Sequence, residues 1–171
     1  MTPQARATAL VAVALLPVTG GLVASWEGTE FTPYRDLGGV WTVCEGVTGP
    51  AVIPGKVYSR QECRDLLNGE LRTHALGLAK CLTTVPPQPV LTAWISWTYN
   101  VGVANACGST LVRLANAGQF EAACRQLPRW NQVNGKPVQG LTNRRHAEMA
   151  WCLYGLGLGL APAPRSLGVT A

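Results

Sequence analysis

The sequence predicts an α+β domain with two lobes, in which a small lobe holds a short β-hairpin around residues 31–47 and a larger lobe is mainly helical. An alternating, strand-like run follows a tight-turn signal near residue 38, which predicts the hairpin. Apolar residues at helical spacing dominate the chain after residue 59. The 171 residues, 47% hydrophobic and 13% charged, suffice for one core and argue against disorder.

The N-terminal segment carries no charged residue over positions 7–26, a span of twenty residues. About twenty helical residues cover the hydrocarbon thickness of a bilayer, so the segment is long enough to cross a membrane. Glycines, threonines and Pro17 dilute its apolar character, which predicts weak anchoring. A signal peptide cleaved after Ala24 is the alternative. Cleavage there would leave Glu27 only three residues from the new terminus.

Two acidic residues border the predicted hairpin. Glu27 is expected to end a helix, because Gly28 follows it and helices often stop at a glycine. Asp36 precedes Leu37-Gly38-Gly39, a tight-turn signal that leads into an alternating run at 40–43. That run predicts a short strand.

The larger lobe begins with Ser59-x-x-Glu62, which has the form of a capping box. The helix that it opens carries an apolar stripe at helical spacing, formed by Cys63, Leu66, Leu67, Leu71, Ala75 and Leu78. We expect this helix to run to about Cys81, because prolines at 86, 87 and 89 then break it.

Apolar periodicity and helix start and stop signals predict four more helices in the remaining chain, at residues 90–101, 109–117, 120–127 and 142–154. A loop at 131–140 precedes the last of them. The Gly/Pro-rich tail at 155–171 is expected to be flexible.

Glu27, Asp36 and Thr42 stand nine and then six positions apart. Hydrolysis of a glycoside needs one carboxyl group to protonate the leaving oxygen and a second carboxylate on the other face of the sugar. Glu27 and Asp36 suit these roles, and the hydroxyl of Thr42 can hold a water molecule beside Asp36. Paired surface acids are common, so the spacing alone is a weak indication of a catalytic site. Glu30 and Glu45 flank the site as spare carboxylates.

Two longer patterns surround these residues: E-G-x-x-x-x-x-Y-x-D from Glu27, and G-x-x-T-V-C-x-G-x-T-G from Gly39. They resemble the phage-type lysozymes, the endolysins of glycoside hydrolase family 24. In that family a Glu, an Asp and a Thr at E-x8-D-x5-T spacing form the catalytic set, and the match falls on Glu27, Asp36 and Thr42. The resemblance implies a lysozyme-like fold, with a cleft between the small lobe and the larger helical lobe. It also implies hydrolysis of the glycosidic bonds between the amino sugars of bacterial peptidoglycan.

The resemblance extends over roughly residues 26–154. Residues 58–67 are similar to the start of the family's inter-lobe helix, residues 99–102 to its mid-domain helix end, and residues 129–145 to its C-terminal cleft segment. The family usually carries a histidine where this chain has Val47, so a structural ion pair of the family is not expected here.

Three residues are expected to contact the substrate: Trp130, Asn100 and Arg144. Trp130 lies at a loop edge, where its ring can stack on a sugar. Arg144 matches a family arginine near the catalytic Glu and could orient that carboxyl group; a solvated basic face is the alternative. His74 and His146 are isolated and lack the spacing of a metal site. We expect neither a metal nor an organic cofactor.

The number and spacing of the cysteines predict three disulfides. No C-x-x-C pair is present, so a zinc ribbon or a thioredoxin-type motif is not supported. Disulfides persist in oxidising compartments such as the bacterial periplasm, and six buried free thiols are the alternative. Sequence order and the helix map favour pairs that join neighbouring elements: Cys44 with Cys63, Cys81 with Cys107, and Cys124 with Cys152.

The net charge of +5 favours an acidic partner. Peptidoglycan qualifies through its anionic stem peptides, and its glycan strands are the expected substrate. The basic residues are scattered, with only Arg144 and Arg145 adjacent, so nucleic-acid binding is not expected. We expect a monomer.

The N-terminal segment is similar to the signal-anchor-release segments of some endolysins in this family, which tether the enzyme and later leave the lipid. On this interpretation residues 1–25 form the releasable segment and can become the first helix, residues 26–154 form the catalytic domain, and residues 155–171 form the tail. The protein would lie first at the periplasmic face of the host inner membrane and then in the periplasm, where it causes lysis. A catalytically weak peptidoglycan-binding module, or a membrane-tethered interaction protein, is the alternative.

Overall fold

Helices alternate with two small antiparallel sheets along residues 2–14, 17–36 and 38–160, the part of the chain that the computed structural model describes. This arrangement confirms the predicted α+β class. The elements in chain order are α1 (Pro3–Ala14), α2 (Pro17–Glu27), β1 (Glu30–Arg35), β2 (Trp41–Cys44), β3 (Val47–Thr48), α3 (Arg60–Ala79), α4 (Gln88–Val101), α5 (Val103–Cys107), α6 (Thr110–Asn116), α7 (Phe120–Cys124), a 3-10 turn (Leu127–Arg129), β4 (Gln132–Val133), β5 (Lys136–Pro137) and α8 (Gln139–Tyr154).

The small lobe is a three-stranded sheet in the order β1-β2-β3. Tyr34 of β1 pairs with Thr42 of β2, and Val43 pairs with Val47 of β3. The predicted hairpin is therefore present, and a short third strand extends it. Val43 and Val47 pack with Tyr58 in a small core of their own. Leu37, part of the predicted turn signal, lies outside the described residues.

The larger lobe is built around α4, whose positions 90–98 are all buried. Trp94 and Trp97 are completely buried there, as expected for helix tryptophans within apolar runs. Helices α3 and α8 both pack against α4. Helix α3 opens with the predicted capping box: the Ser59 hydroxyl accepts a hydrogen bond from the Glu62 N–H, and the Glu62 carboxylate accepts one from the Ser59 N–H.

Three local features differ from the sequence-based prediction. Helix α4 begins inside the proline cluster, because proline is tolerated in the first turn of a helix, where its N–H would lack a partner anyway. The short helix α5 was not predicted. The expected loop at 131–140 contains a β-hairpin, in which Asn134 and Gly135 both have positive φ values of 50° and 74°. Asn-Gly with two positive φ angles is typical of a type I′ hairpin turn.

The N-terminal segment forms two helices that contribute to the main core. Leu10 and Ala14 of α1 and Val23 of α2 are buried against α3 and α4. No single helix among the described residues is long and apolar enough to cross a membrane. The pair α1 and α2, which meet at 59°, satisfies the requirements of length and composition together. Residues 15 and 16, between the two helices, lie outside the described residues.

All six cysteines form disulfides in the three pairs expected from the sequence. Cys44–Cys63 ties the small lobe to α3, Cys81–Cys107 ties the end of α3 to α5, and Cys124–Cys152 ties α7 to α8. The alternative of six free thiols is wrong for this fold.

Removal of the Cys124–Cys152 bridge is expected to lower the free energy of unfolding by about 3–4 kcal/mol. The bond closes a loop of 28 residues and both sulfurs lie in the core, so its loss raises the chain entropy of the unfolded state. Cys124→Ala/Cys152→Ala should show this loss in urea unfolding against the oxidised wild type. An unchanged free energy of unfolding would contradict the predicted contribution.

Candidate active site

Glu27 is the last residue of α2, and Gly28 follows it with a φ of +70°. A left-handed residue directly after a helix ends it and turns the chain away, and glycine adopts this conformation without steric cost. The Glu27 side chain is 24% exposed. It forms an ion pair with the Nη1 atom of Arg144. The predicted helix end therefore presents a carboxyl group that is both held and accessible.

Arg144 is almost completely buried and uses all three nitrogens of its guanidinium group. Nη1 donates to Glu27, Nε donates to Glu148 at 3.1 Å, and Nη2 donates to the carbonyl oxygen of Ser96 at 3.2 Å. These acceptors lie on α2, α8 and α4. The planar fork of an arginine can satisfy several acceptors only in one orientation, so the contacts fix the position of Arg144 and, through it, of Glu27.

Asp36 lies at the turn between β1 and β2, with its side chain exposed. Its Oδ1 atom accepts hydrogen bonds from the backbone N–H groups of Gly38 and Val40, both at 2.9 Å. An Asp that bonds to backbone groups two residues on is a common device for stabilising a turn. The same bonds hold the carboxylate in a defined orientation.

Thr42 lies on the same face of the hairpin as Asp36. The Asp36 N–H donates to the carbonyl of Val40, which places these two residues opposite each other, and Thr42 is two positions further along the strand. Thr42 is buried, and its hydroxyl donates to the carbonyl of Val40 at 3.1 Å. Its oxygen keeps lone pairs that can accept a hydrogen bond.

Glu45 of the small lobe is held by two hydrogen bonds, one of which comes from α4. The Tyr99 hydroxyl donates to the carbonyl of Glu45 at 2.7 Å, and the Thr29 hydroxyl donates to the Glu45 carboxylate at 2.9 Å. Burial raises the pKa of Glu45, and burial together with the charges of Glu27, Glu70 and Glu45 raises the pKa of Tyr99. Glu45 is only 5% exposed, so it is a structural carboxylate and not a spare one at the surface.

Glu148 lies at the centre of the charged cluster and was not among the site residues predicted from the sequence. Its Oε1 atom accepts from the Ser96 hydroxyl at 2.8 Å and from Nη2 of Arg145 at 2.9 Å, in addition to Arg144. Its Oε2 atom lies 2.8 Å from Nε of Arg145. The spacing of an acid four residues after Arg144 is a local signal that could have identified this pair.

Two of the three expected substrate contacts remain accessible. Asn100 is exposed and accepts a hydrogen bond from Arg145 at 3.0 Å. Trp130 is half-buried, with its ring edge-on to Trp97 at 5.3 Å between centroids. Arg144 is 3% exposed, and this burial supports the role of orienting Glu27 over direct contact with a ligand.

Cys44, Glu45 and Cys63 are grouped closely enough to resemble a metal site. The two sulfurs are bonded to each other, and metal ligation requires thiolates. This cluster therefore cannot hold a metal ion while the disulfide is formed.

Comparisons with known proteins show the family and the fold of the chain. Residues 24–148 match the family model described as phage lysozyme. The SAR-endolysin of Enterobacteria phage P21 is 41% identical over 150 residues, which cover 85% of this chain and 88% of the relative. The structure of an endolysin from Escherichia coli O157:H7 phage FAHEc1 is similar with a TM-score of 0.72 and 26% identity, over 81% of this chain and 92% of that one. The active form of the P1 phage endolysin Lyz gives a TM-score of 0.75 at 24% identity, over 91% and 96% of the two chains.

Proposed function

The chain belongs to the phage lysozyme family, and from this premise we propose that it is an endolysin that hydrolyses the glycosidic bonds between the amino sugars of bacterial peptidoglycan and so lyses the host cell. The observation that carries the proposal is the placement of Glu27. It ends α2 in an ion pair with the buried Arg144, next to a hairpin that bears Asp36 and Thr42 on one face. A glycosidase needs this combination of two carboxyl groups.

Glu27 acts as the general acid in this mechanism. It transfers its proton to the glycosidic oxygen as the bond to the sugar breaks, which makes the departing sugar a better leaving group. Arg144 holds one oxygen of the carboxyl group, and the partial exposure of the side chain allows the other to reach a substrate in the cleft. Orientation of this kind reduces the entropy that the reaction must lose at the transition state.

Asp36 acts on the opposite face of the sugar, either as a nucleophile or as a base that orders water together with Thr42. Its two backbone hydrogen bonds hold Oδ1, so the carboxylate has a fixed direction. A nucleophile gives retention at the anomeric carbon and a base gives inversion. The anomer that forms first, followed by NMR during hydrolysis, distinguishes the two roles.

The reaction class is tested with purified protein and peptidoglycan. The protein should clear a suspension of outer-membrane-permeabilised bacteria, and the soluble fragments should carry new reducing sugar ends with intact stem peptides. Binding to the wall without new reducing ends would support the alternative of a binding module. Cleaved peptides would indicate a different hydrolase.

The N-terminal helices link the location of the protein to its activity. In the proposed sequence of events, residues 7–25 lie first in the host inner membrane, with Arg6 on the cytoplasmic side in line with the positive-inside tendency, and the body of the protein faces the periplasm. Helix α2 is then unavailable to present Glu27, and core positions such as Val23 are unfilled. The tethered protein is inactive, and release of the segment completes both core and site.

Replacing Gly20 and Gly21 by leucine is expected to retain the protein in the membrane and delay lysis. Leucine strengthens the preference of a helix for lipid. The folded state has space at both positions: a Cβ atom at either one meets nothing within 4 Å among the described residues, and both glycines line a cavity of about 430 Å³. Cell fractionation should show the wild type in membrane and soluble periplasm at full length, and the double variant mostly in membrane.

A matched control is Gly69→Leu on α3, a helical glycine that also has open space around it but lies outside the segment. Its distribution should equal that of the wild type. A soluble product whose N-terminus begins after Ala24 would instead show ordinary cleavage of a signal peptide and defeat the release mechanism.

A further inference from the structure

Four charged groups meet at the junction of α2, α4 and α8: Glu27, Arg144, Arg145 and Glu148. Arg145 and Glu148 are completely buried, Arg144 is 3% exposed, and Glu27 is the one member of the four with an appreciably accessible side chain. Glu148 contacts both guanidinium groups at 2.8–3.1 Å. Each group therefore changes the electrostatic environment of the others in a region that is poorly screened by water.

The charge state of this cluster depends on the proton of Glu27. With Glu27 ionised, two carboxylates balance two guanidinium groups. With Glu27 protonated, which is the form that can act as an acid, Glu148 is the single remaining counter-charge. Without a charge on Glu148, protonation of Glu27 would leave two adjacent buried cations unbalanced, which is strongly unfavourable.

Three donors surround the carboxylate of Glu148 and favour its ionised form against the effect of burial. Burial raises its pKa, while the charges of Arg145 and Arg144 and the hydrogen bond from Ser96 act in the opposite direction. Burial lowers the pKa of Arg145 to about 10, which still leaves that group charged at neutral pH.

We propose that Glu148 is a positioning residue for the general acid: it is the permanent counter-ion of Arg144 and thereby allows Glu27 to hold, until the bond breaks, the proton that the reaction needs. The proposal rests on the function proposed above and deepens it. Arg144 alone would favour the Glu27 carboxylate, which orients the residue but cannot donate a proton. Because Arg144 is shared between Glu27 and Glu148, it still orients Glu27, and the free-energy penalty for protonating Glu27 is smaller.

Other titratable groups also lie near Glu27. The charges of Glu27, of Glu70 on α3 and of Glu45 in the small lobe all act on Tyr99 of α4. His74 packs against Tyr99 in a tilted arrangement, with 5.2 Å between the ring centroids. Asp36 lies on the hairpin. None of these groups is altered in the experiment below, so a change in the pH profile reports the substituted charge.

The test is the pH dependence of kcat for peptidoglycan hydrolysis. Glu148→Gln keeps the shape and an acceptor oxygen but removes the charge, and the alkaline limb, where the acid loses its proton, should move to lower pH by about one unit or more. Arg145→Gln removes a positive charge from the same cluster and should move that limb to higher pH. Glu148→Gln should leave KM close to the wild-type value, whereas Arg145→Gln also removes the hydrogen bond to Asn100 and is therefore judged by the position of the limb alone.

The double variant Glu148→Gln/Arg145→Gln leaves the net charge of the cluster unchanged. It should return the alkaline limb of the pH profile toward its wild-type position. Glu121→Gln, which removes one partner of the exposed pair between Glu121 and Arg125, should leave the profile unchanged. Shifts of the alkaline limb in opposite directions in the two single variants support the proposal, because a defect in packing would not move the limb according to the sign of the charge removed.

Equal loss of activity at every pH, with the limb unmoved in both single variants, would overturn the proposal. If Glu148→Gln does not fold, Arg145→Gln alone decides: a limb that stays in place or moves down also overturns it. Failure of the underlying function is distinguishable, because wild-type protein would then produce no new reducing ends at any pH.

Discussion

Replacing Glu27 by glutamine is expected to lower the rate of peptidoglycan hydrolysis by about a hundredfold to ten-thousandfold while the fold survives. Glutamine has nearly the same size and can still accept the hydrogen bond from Arg144, but it has no proton to give to the glycosidic oxygen. Clearing of permeabilised cells and release of reducing ends measure the activity. Thermal unfolding measured on the same preparation checks that the variant is folded.

Glu30→Gln is the matched control, because Glu30 is an exposed acid only three residues away, at the start of β1. It should retain most of the activity. Glu45→Gln is less suitable, since Glu45 is buried and accepts a hydrogen bond from Thr29. A folded Glu27→Gln protein that clears cell walls at the wild-type rate would contradict the assignment of Glu27 as the general acid.

Asp36→Asn should be damaged to a similar degree, by about a hundredfold or more. The Oδ1 atom of asparagine can accept the same hydrogen bonds from Gly38 and Val40, so the turn is kept and only the negative charge is lost. That charge is what stabilises or attacks the oxocarbenium-like centre. The measurement is the initial rate of reducing-end formation at saturating substrate.

Asp36→Ala separates the two tasks of this residue. It removes the charge and also both turn hydrogen bonds, so it should lose activity as Asp36→Asn does and should in addition lower the melting temperature. Wild-type hydrolysis by Asp36→Asn would show that the charge has no part in the reaction.

The parts of the site that depend on neighbouring residues were predictable from the sequence. The end of α2 at Glu27 follows from a glycine next to it, and the start of α3 follows from the reciprocal bonds of Ser59 and Glu62. The hairpin follows from a turn signal and an alternating run. The cysteine pairs could also be inferred, because each joins elements that follow closely in the chain.

The charged cluster beneath Glu27 was only partly predictable: the family resemblance indicated Arg144 near the catalytic Glu, but neither Arg145 nor Glu148 was predicted. Arg144 and Glu27 are 117 positions apart, and Ser96 and Glu148 are 52 apart. Their meeting depends on how α8 packs across α4 and α2, which no local pattern specifies. The hairpin at Asn134-Gly135 is a different case, because this dipeptide is a strong hairpin signal. The hairpin was therefore predictable, and the prediction of a plain loop at residues 131–140 did not use this signal.

The N-terminal helices connect folding to location. Leu10 and Val23 are completely buried in the protein, and in the proposed tethered state both would lie in lipid. Bilayer and core are solvents of similar polarity, so transfer of these side chains from one to the other changes the free energy little. Polar groups then decide the partition. The hydroxyl of Thr19 donates to the carbonyl of Val13 at 2.8 Å, and its oxygen lies 3.4 Å from the hydroxyl oxygen of Thr92 on α4. Val13 belongs to the same segment, so Thr92 is the partner that Thr19 gains only when the segment packs into the core, and this contact favours the released state.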